Sequence, residues 1–274
     1  MPRMSVNGVE LYYEKHGEGL PVLGIHGTPS SAVRWEEPAA ELARICRCII
    51  YDRRGFHRSE RPEPFTAVDL ADQVDDAAAL LDALSATPAV VVGRSTGGEI
   101  ALALAHRHPE KVTAQVLLEP AVFWLDAEAQ AWADQLRDRV LEVAATDPRS
   151  AAAAVIRQVM GDQVWEGLPS ELRDMFEDTS PAVLAEIRGD GLDLSANPPA
   201  LGPSELATVR QPTLLVSAAD SPGVLRRVNA RLAELLPAAE SVLVPGGHLI
   251  NPAHPAVLEF LGRFTGSSTP PGNY

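Results

Sequence analysis

A serine flanked by glycines is the feature of this sequence that most directly suggests chemistry. Residues 93–98 read Gly-Arg-Ser-Thr-Gly-Gly, between an apolar run at 89–92 and a helical stretch at 96–107. On a sharp strand-to-helix turn, a Gly-x-Ser-x-Gly serine is held above a sheet, and the flanking glycines avoid steric clashes. The pattern predicts that Ser95 is a nucleophile. The alternative is a glycine-rich turn with a helix-capping serine.

A histidine late in the chain is placed to act as the base for this serine. His248 ends a Pro-Gly-Gly-His loop that follows the apolar run 241–244. Open α/β sheets form their sites at the carboxyl ends of strands, so we expect His248 to lie near Ser95. It would take the serine proton and return it to a leaving group. Of the other six histidines, His26 is expected to be structural and His57 to line a substrate pocket.

The elements that must position these residues alternate between apolar runs and helical stretches. The chain begins with a predicted hairpin around Asn7-Gly8, a strong turn signal. The βαβα alternation that follows predicts an α/β fold, with a mainly parallel sheet and helices on both faces. The predicted strands are 4–6, 9–13, 21–25, 48–51, 89–92, 113–118, 213–216 and 241–244, and the predicted helices between them are 31–44, 69–84, 96–107, 224–236 and 254–264.

The alternation is interrupted by a helix-rich segment between the sixth and seventh strands. Residues 121–208 carry no convincing strand, and they contain predicted helices at 127–145, 150–160, 170–176 and 181–188. We therefore predict a core domain formed by 1–120 and 209–266, a helical lid at 121–208, and a flexible tail at 267–274.

Together these motifs resemble the α/β-hydrolase superfamily over nearly the whole chain. The matching segments are 26–27, 52–59, 93–97 and 247–248, in the family's order. The resemblance implies an eight-stranded sheet, a lid after strand six, and an oxyanion hole made by two backbone N–H groups. By position these belong to Thr28 and Thr96. One departure is visible, because His57 replaces the second glycine of the family's Gly-x-Gly-x-Ser loop at 55–59.

Two carboxylates are candidates for the acid that orients His248. Asp220 follows the seventh strand, the placement that most family members use, and it is favoured on that ground. Glu119 ends the sixth strand, where a minority of the superfamily carries its acid. The chain is also similar to one such branch, the lactonases that open the mycotoxin zearalenone. That branch pairs a strand-six Glu with a Pro-Gly-x-His loop followed by His-Pro, here His254-Pro255.

The serine also restricts the reaction class. Haloalkane dehalogenases and epoxide hydrolases of this fold need an aspartate nucleophile, so acyl transfer to water is expected, without metal or organic cofactor. The substrate is expected to be an apolar ester or lactone, bound by Trp124 and Trp165 of the lid. Further lid candidates, expected mostly to pack, are Phe123, Leu125, Trp132, Val155, Met160, Val164, Met175 and Phe176. The alternatives are a ligand receptor with little turnover, a C–C bond hydrolase, or a cofactor-free perhydrolase.

Composition excludes several other functions. The chain has 37 acidic and 23 basic residues, a formal net charge of −14, so it lacks the basic surface of a nucleic-acid or anionic-membrane binder. Lys15 and Lys111 are the only lysines, and neither suits Schiff-base chemistry.

Cys46 and Cys48 are expected to pack in the core. No secretory h-region or long apolar stretch occurs, so a cytoplasmic location is expected.

Overall fold

An eight-stranded sheet runs through the centre of the computed structural model, which describes residues 2–199 and 201–265. The strand order is β1-β2-β4-β3-β5-β6-β7-β8. The β1–β2 and β2–β4 pairs are antiparallel, and the five other pairs are parallel. The predicted α/β class with a mainly parallel sheet is confirmed. The strands are β1 Arg3–Val6, β2 Val9–His16, β3 Pro21–Ile25, β4 Arg47–Tyr51, β5 Ala89–Arg94, β6 Val112–Leu118, β7 Thr213–Ala218 and β8 Ala239–Val244.

The first two strands form the predicted hairpin. Asn7 and Gly8 have φ of 47° and 74°, the left-handed backbone that a tight two-residue hairpin turn needs. The turn fixes the register, with Val6 opposite Val9.

Helices cover both faces of the sheet. Strand residues alternate between the two sides, so Leu23 and Val91 pack against one set of helices, whereas Val22 and Val90 pack against the other. The helices of the core are α1 Glu36–Leu42, α2 Leu70–Ala83, α3 Thr96–Arg107, α10 Gly223–Leu235 and α11 Pro255–Gly262. The first set includes α2, α3 and α10, and the second includes α1 and α11.

The helix predicted at 31–44 is split in two. A 3-10 turn at Ala32–Trp35 precedes α1, and Trp35 is buried against the sheet. The nearby Cys46 and Cys48 are buried free thiols in the same apolar cluster, so the packing prediction is confirmed. Burial raises the pKa of Cys46 to about 12.

Between β6 and β7 lies a helical segment, residues 123–206, called here the helical insertion. It begins with a 3-10 turn at Phe123–Leu125, and its helices are α4 Ala127–Thr146, α5 Ala151–Met160, α6 Asp162–Gly167, α7 Ser170–Asp178, α8 Ser180–Arg188 and α9 Pro203–Leu206. The sequence did not predict α6 or α9. The predicted tail at 267–274 lies outside the described residues. Among the helices of the described chain, none is long and apolar enough to cross a membrane.

Candidate active site

The Ser95 turn joins β5 to α3 through a strained backbone. Ser95 has φ 55° and ψ −125°, a region that residues with a Cβ rarely adopt. A Cβ on Gly93 would lie 2.1 Å from the carbonyl oxygen of Gly97, and one on Gly97 would lie 2.2 Å from that of Ile25. Because a side chain at either position would clash with backbone atoms, both positions require glycine. The turn has the geometry that the sequence pattern predicts.

His248 is hydrogen-bonded to Glu119 at this edge of the sheet. The distance from His248 Nδ1 to Glu119 Oε2 is 2.8 Å. Glu119 is fully buried directly after β6, and its φ of 46° is again left-handed. Its carboxylate also accepts hydrogen bonds from the Ala218 N–H at 2.8 Å and from the Ser221 hydroxyl at 2.7 Å. Three donors thus fix the carboxylate in place.

Asp220, the acid favoured by sequence placement, is directed elsewhere. Its side chain is exposed, and its backbone N–H donates to the Gly246 carbonyl at 2.8 Å. Within the described residues its carboxylate accepts no hydrogen bond. Of the two candidate acids, the structure brings Glu119 to His248 and not Asp220, which corrects the preference for Asp220.

The two predicted oxyanion donors lie on either side of Ser95. Thr96 begins α3, where a backbone N–H has no acceptor within the helix. Thr28 follows Gly27, and a Cβ on Gly27 would lie 3.0 Å from the Ser95 Cβ, so this loop passes beside the serine. Among the described residues, neither the Thr28 N–H nor the Thr96 N–H donates a hydrogen bond. Both N–H groups are therefore without an acceptor among these residues, and of the two threonines Thr28 lines the cavity described below.

A cavity between the sheet edge and the helical insertion contains these groups. Ser95, His248 and Thr28 line it. Most of its remaining wall is apolar and comes from the insertion, with Phe123, Trp132, Leu136, Val155, Ile156, Val159, Met160, Phe176 and Leu194. Five of the predicted lid candidates, Phe123, Trp132, Val155, Met160 and Phe176, therefore reach the cavity.

The three residues predicted to bind substrate lie outside this cavity. Trp124 donates its indole N–H to the Leu201 carbonyl at 3.0 Å. Trp165 is buried in a separate cluster with Ile156 and Met175. His57 is exposed, and its φ of 40° is left-handed, a conformation that glycine adopts more readily than histidine. These predictions are corrected, because two of the side chains satisfy packing or hydrogen bonding elsewhere and the third faces solvent.

His26 has the predicted structural role beside the segment of Gly27 and Thr28, called here the Thr28 loop. Its Nε2 accepts the Arg53 backbone N–H at 3.0 Å, and its Nδ1 lies 2.8 Å from the Gly27 carbonyl oxygen. A ring with one accepting and one donating nitrogen is neutral. Burial and the charge of Arg53 hold the pKa of His26 well below its usual value, which agrees with that tautomer.

A buried ion pair connects the Thr28 loop to the helical insertion. Arg53 pairs with Glu186 of α8, and both side chains are almost fully buried. The Thr28 hydroxyl donates to Glu186 at 2.7 Å and accepts from Arg53. The position of the loop therefore depends on a carboxylate supplied by the insertion.

Two further carboxyl groups lie behind Thr96. The Thr96 hydroxyl donates to Asp193 Oδ2 at 3.2 Å, and the Asp193 N–H donates to Glu99 at 3.0 Å. Burial and the nearby charge of Glu186 raise the pKa of Asp193 to about 7. Burial and Asp193 raise the pKa of Glu99 well above its usual value. Asp193 also lines the cavity, as do Arg34 and Arg94, and none of the three was a sequence candidate. Of these three residues, only Arg94 could have been found from the sequence, because it directly precedes Ser95 in the Gly-x-Ser-x-Gly motif.

The fold and this site place the protein among the α/β hydrolases. The family model for the alpha/beta hydrolase fold matches residues 21–255, so the chain belongs to that family.

Individual relatives differ in activity. The chain is 40% identical over 117 residues to the 2-hydroxymuconate semialdehyde hydrolase of Pseudomonas sp. strain CF600, covering 42% of this chain and 41% of the relative. It is 28% identical over 272 residues to a putative carbamate hydrolase of Azorhizobium caulinodans, covering 97% and 98%. For four of the matched curated relatives, the chain spans only 39% to 45% of their length.

Among solved structures, a thermophilic esterase from Thermogutta terrifontis has a TM-score of 0.73 at 26% identity, covering 97% of this chain and 96% of that one.

Proposed function

We propose that the protein is a serine hydrolase that cleaves an apolar carboxylic ester or lactone through an acyl-enzyme on Ser95. The single observation that carries this proposal is the Glu119–His248 hydrogen bond of 2.8 Å at the cavity that Ser95 lines. A nucleophile, a base and a group that orients the base are the parts that acyl transfer needs.

His248 acts as general base in this proposal. Because Nδ1 bonds to Glu119, the nitrogen left to take the Ser95 proton is Nε2. The buried Glu119 carboxylate holds the ring in that tautomer and stabilises the imidazolium formed during attack. His248 then gives the proton to the leaving alkoxide, and in the second half-reaction it activates water against the acyl-enzyme.

The backbone N–H groups of Thr28 and Thr96 stabilise the oxyanion of each tetrahedral intermediate. One lies in the loop after β3 and the other in the first turn of α3, and both are in place before substrate arrives, so no reorganisation is needed during the reaction. Removing one such donor typically costs about 3 kcal/mol of transition-state stabilisation.

An apolar substrate is supported by the cavity wall that the helical insertion supplies. We propose that the insertion acts as a lid, since apolar side chains of α4, α5 and α7 lie across the cavity from Ser95. The esterase among the solved structures agrees with ester cleavage.

The 2-hydroxymuconate semialdehyde hydrolase relative supports C–C bond hydrolysis as a second candidate. Ester and C–C substrates assayed side by side would separate the two reactions.

The test is Ser95→Ala, compared with Ser5→Ala on the exposed face of β1 as a matched control. We expect Ser95→Ala to lose at least about 10³-fold in kcat on 4-nitrophenyl butyrate and to lose labelling by a fluorophosphonate, located by peptide mass spectrometry. Ser5→Ala should keep both. Full activity in folded Ser95→Ala would exclude this serine as nucleophile.

A further inference from the structure

Two arginines lie among the polar residues that line the cavity. Arg94 lies within the serine turn, and Arg34 lies in the 3-10 turn Ala32–Trp35. Both line the cavity with Ser95 and His248, and both extend into an adjoining cleft beside Leu249. The mechanism proposed above uses neither side chain.

The guanidinium of Arg94 is buried, and among residues 2–199 and 201–265 no carboxylate forms an ion pair with it. Its residue is 6% exposed. It lies over the Trp35 ring, 5.8 Å from the centroid, and it donates to the Ile250 carbonyl at a long 3.4 Å. Burial and the charge of Arg34 lower the pKa of Arg94 to about 10. A buried cation without a partner is unfavourable, and an anion entering the cavity would relieve that cost.

Other arginines near these loops are paired. Arg53, Arg54 and Arg58 each form an ion pair with a buried carboxylate. Within the described part of the chain, no carboxylate lies within 4.0 Å of the Arg34 or Arg94 guanidinium. What sets Arg94 apart is that its unpaired guanidinium is buried on the wall of the cavity that Ser95 lines.

The charges around the two arginines favour an anion of single charge over one of higher charge. Arg34, Arg94 and the exposed Glu37 of the adjoining cleft sum to about one positive charge. Asp193 and His248 are the other titratable groups on the cavity wall, and Asp193 lowers this positive charge where it is ionised. The planar fork of a guanidinium matches the two oxygens of a carboxylate.

We propose that Arg94 and Arg34 form a carboxylate-binding subsite, so that the ester or lactone proposed above is apolar only in part and its acyl part also carries a carboxylate away from the scissile carbonyl. The apolar middle of such a substrate would lie against the helical insertion. The inference rests on the proposed function, because it names the substrate class of the same site.

The test compares mono-4-nitrophenyl glutarate with its neutral isostere, 4-nitrophenyl 5-methylhexanoate. We expect wild type to have at least about tenfold higher kcat/KM on the anionic ester at low salt, with the preference shrinking as salt rises. In Arg94→Gln the ratio of the two kcat/KM values should fall at least about tenfold, and in Arg34→Gln at least about threefold. Arg94→Lys, which keeps the charge without the fork, should lie between wild type and Arg94→Gln.

The matched control is Arg44→Gln, which removes an exposed positive charge outside both cavities and should leave the ratio unchanged. Wild-type preference for the neutral ester, or an equal loss on both esters in Arg94→Gln, would overturn the proposal.

Calorimetry on Ser95→Ala separates this proposal from the proposed reaction. Glutarate should bind this variant, and Ser95→Ala/Arg94→Gln should bind it at least about tenfold more weakly. Because binding needs no turnover, it is measurable even if no ester is cleaved. Absence of glutarate binding, or tighter binding of inorganic phosphate than of glutarate, would contradict a carboxylate subsite.

Discussion

The sheet edge and the helical insertion contribute to the cavity in different ways. At the sheet edge, Ser95 and Glu119 follow strands with left-handed backbone at φ 55° and 46°. The insertion supplies mainly apolar side chains, and it is joined to the core by the buried carboxyl group of Glu186 and the half-buried one of Asp193. The difference indicates that backbone geometry fixes the proposed chemistry, whereas side-chain packing and buried charge shape the space for substrate.

Adding a methyl group at one glycine in each region should give the largest contrast in stability. Gly93→Ala forces a Cβ to within 2.1 Å of a backbone oxygen, whereas Gly167 in α6 has no atom within 4 Å of the added Cβ. We expect Gly93→Ala to lower the free energy of unfolding by about 4 kcal/mol or more. Gly167→Ala should change it by less than about 1 kcal/mol, towards higher stability. Urea unfolding measures both, and similar midpoints would contradict the difference in backbone constraint.

Breaking the buried ion pair between the two regions should have the next largest effect. Glu186→Gln leaves the fully buried Arg53 without its counter-ion, so we expect a loss of about 3 kcal/mol. The control is Glu142→Gln in α4, which breaks an exposed pair with Arg139 and should change stability by less than about 0.5 kcal/mol. Thermal unfolding compares the variants. An effect of Glu186→Gln as small as that of the control would mean that the insertion does not depend on this pair.

Asp193 should make the stability of the protein depend on pH. Because its pKa is raised to about 7 in the folded chain, the native state keeps a proton that the unfolded chain loses above its ordinary pKa of 3.8. The free energy of unfolding should therefore fall as pH rises from about 4 to 7 and stay lower above 7. Asp193→Asn keeps a neutral group that still accepts from Thr96. We expect it to be about 4 kcal/mol more stable than wild type at pH 8 and nearly equal at pH 4.

The measurement is urea unfolding of both proteins across this pH range. If the free energies of unfolding of Asp193→Asn and wild type differed by the same amount at pH 4 and at pH 8, Asp193 would not titrate between these pH values.

Periodicity and turn chemistry predicted the sheet and the Ser95 turn from sequence alone. Apolar runs define β3 to β8, and the glycines at 93 and 97 leave little choice for the turn, because a Cβ at either would meet backbone. The predicted base, His248, also reaches the cavity, since parallel strands end at one edge of the sheet.

Periodicity and turn chemistry could not predict which carboxylate bonds to His248 or which side chains line the cavity. Spacing along the chain does not encode which way a side chain points after a strand. Glu119 turns inward through left-handed backbone, and Asp220 ends in solvent. Aromatic residues of the insertion were equally ambiguous, because Trp124 and Trp132 look alike in sequence. Only the available acceptor at Leu201 separates Trp124 from the cavity that Trp132 lines.

The central claim, that Glu119 rather than Asp220 supports His248, is tested most directly by kcat/KM of Glu119→Gln and Asp220→Asn on 4-nitrophenyl butyrate. Both substitutions remove one carboxylate charge and keep its size. We expect Glu119→Gln to lose at least about 10³-fold, because a buried amide would favour the wrong tautomer of His248, and Asp220→Asn to change by less than about threefold. A large loss confined to Asp220→Asn would contradict the account.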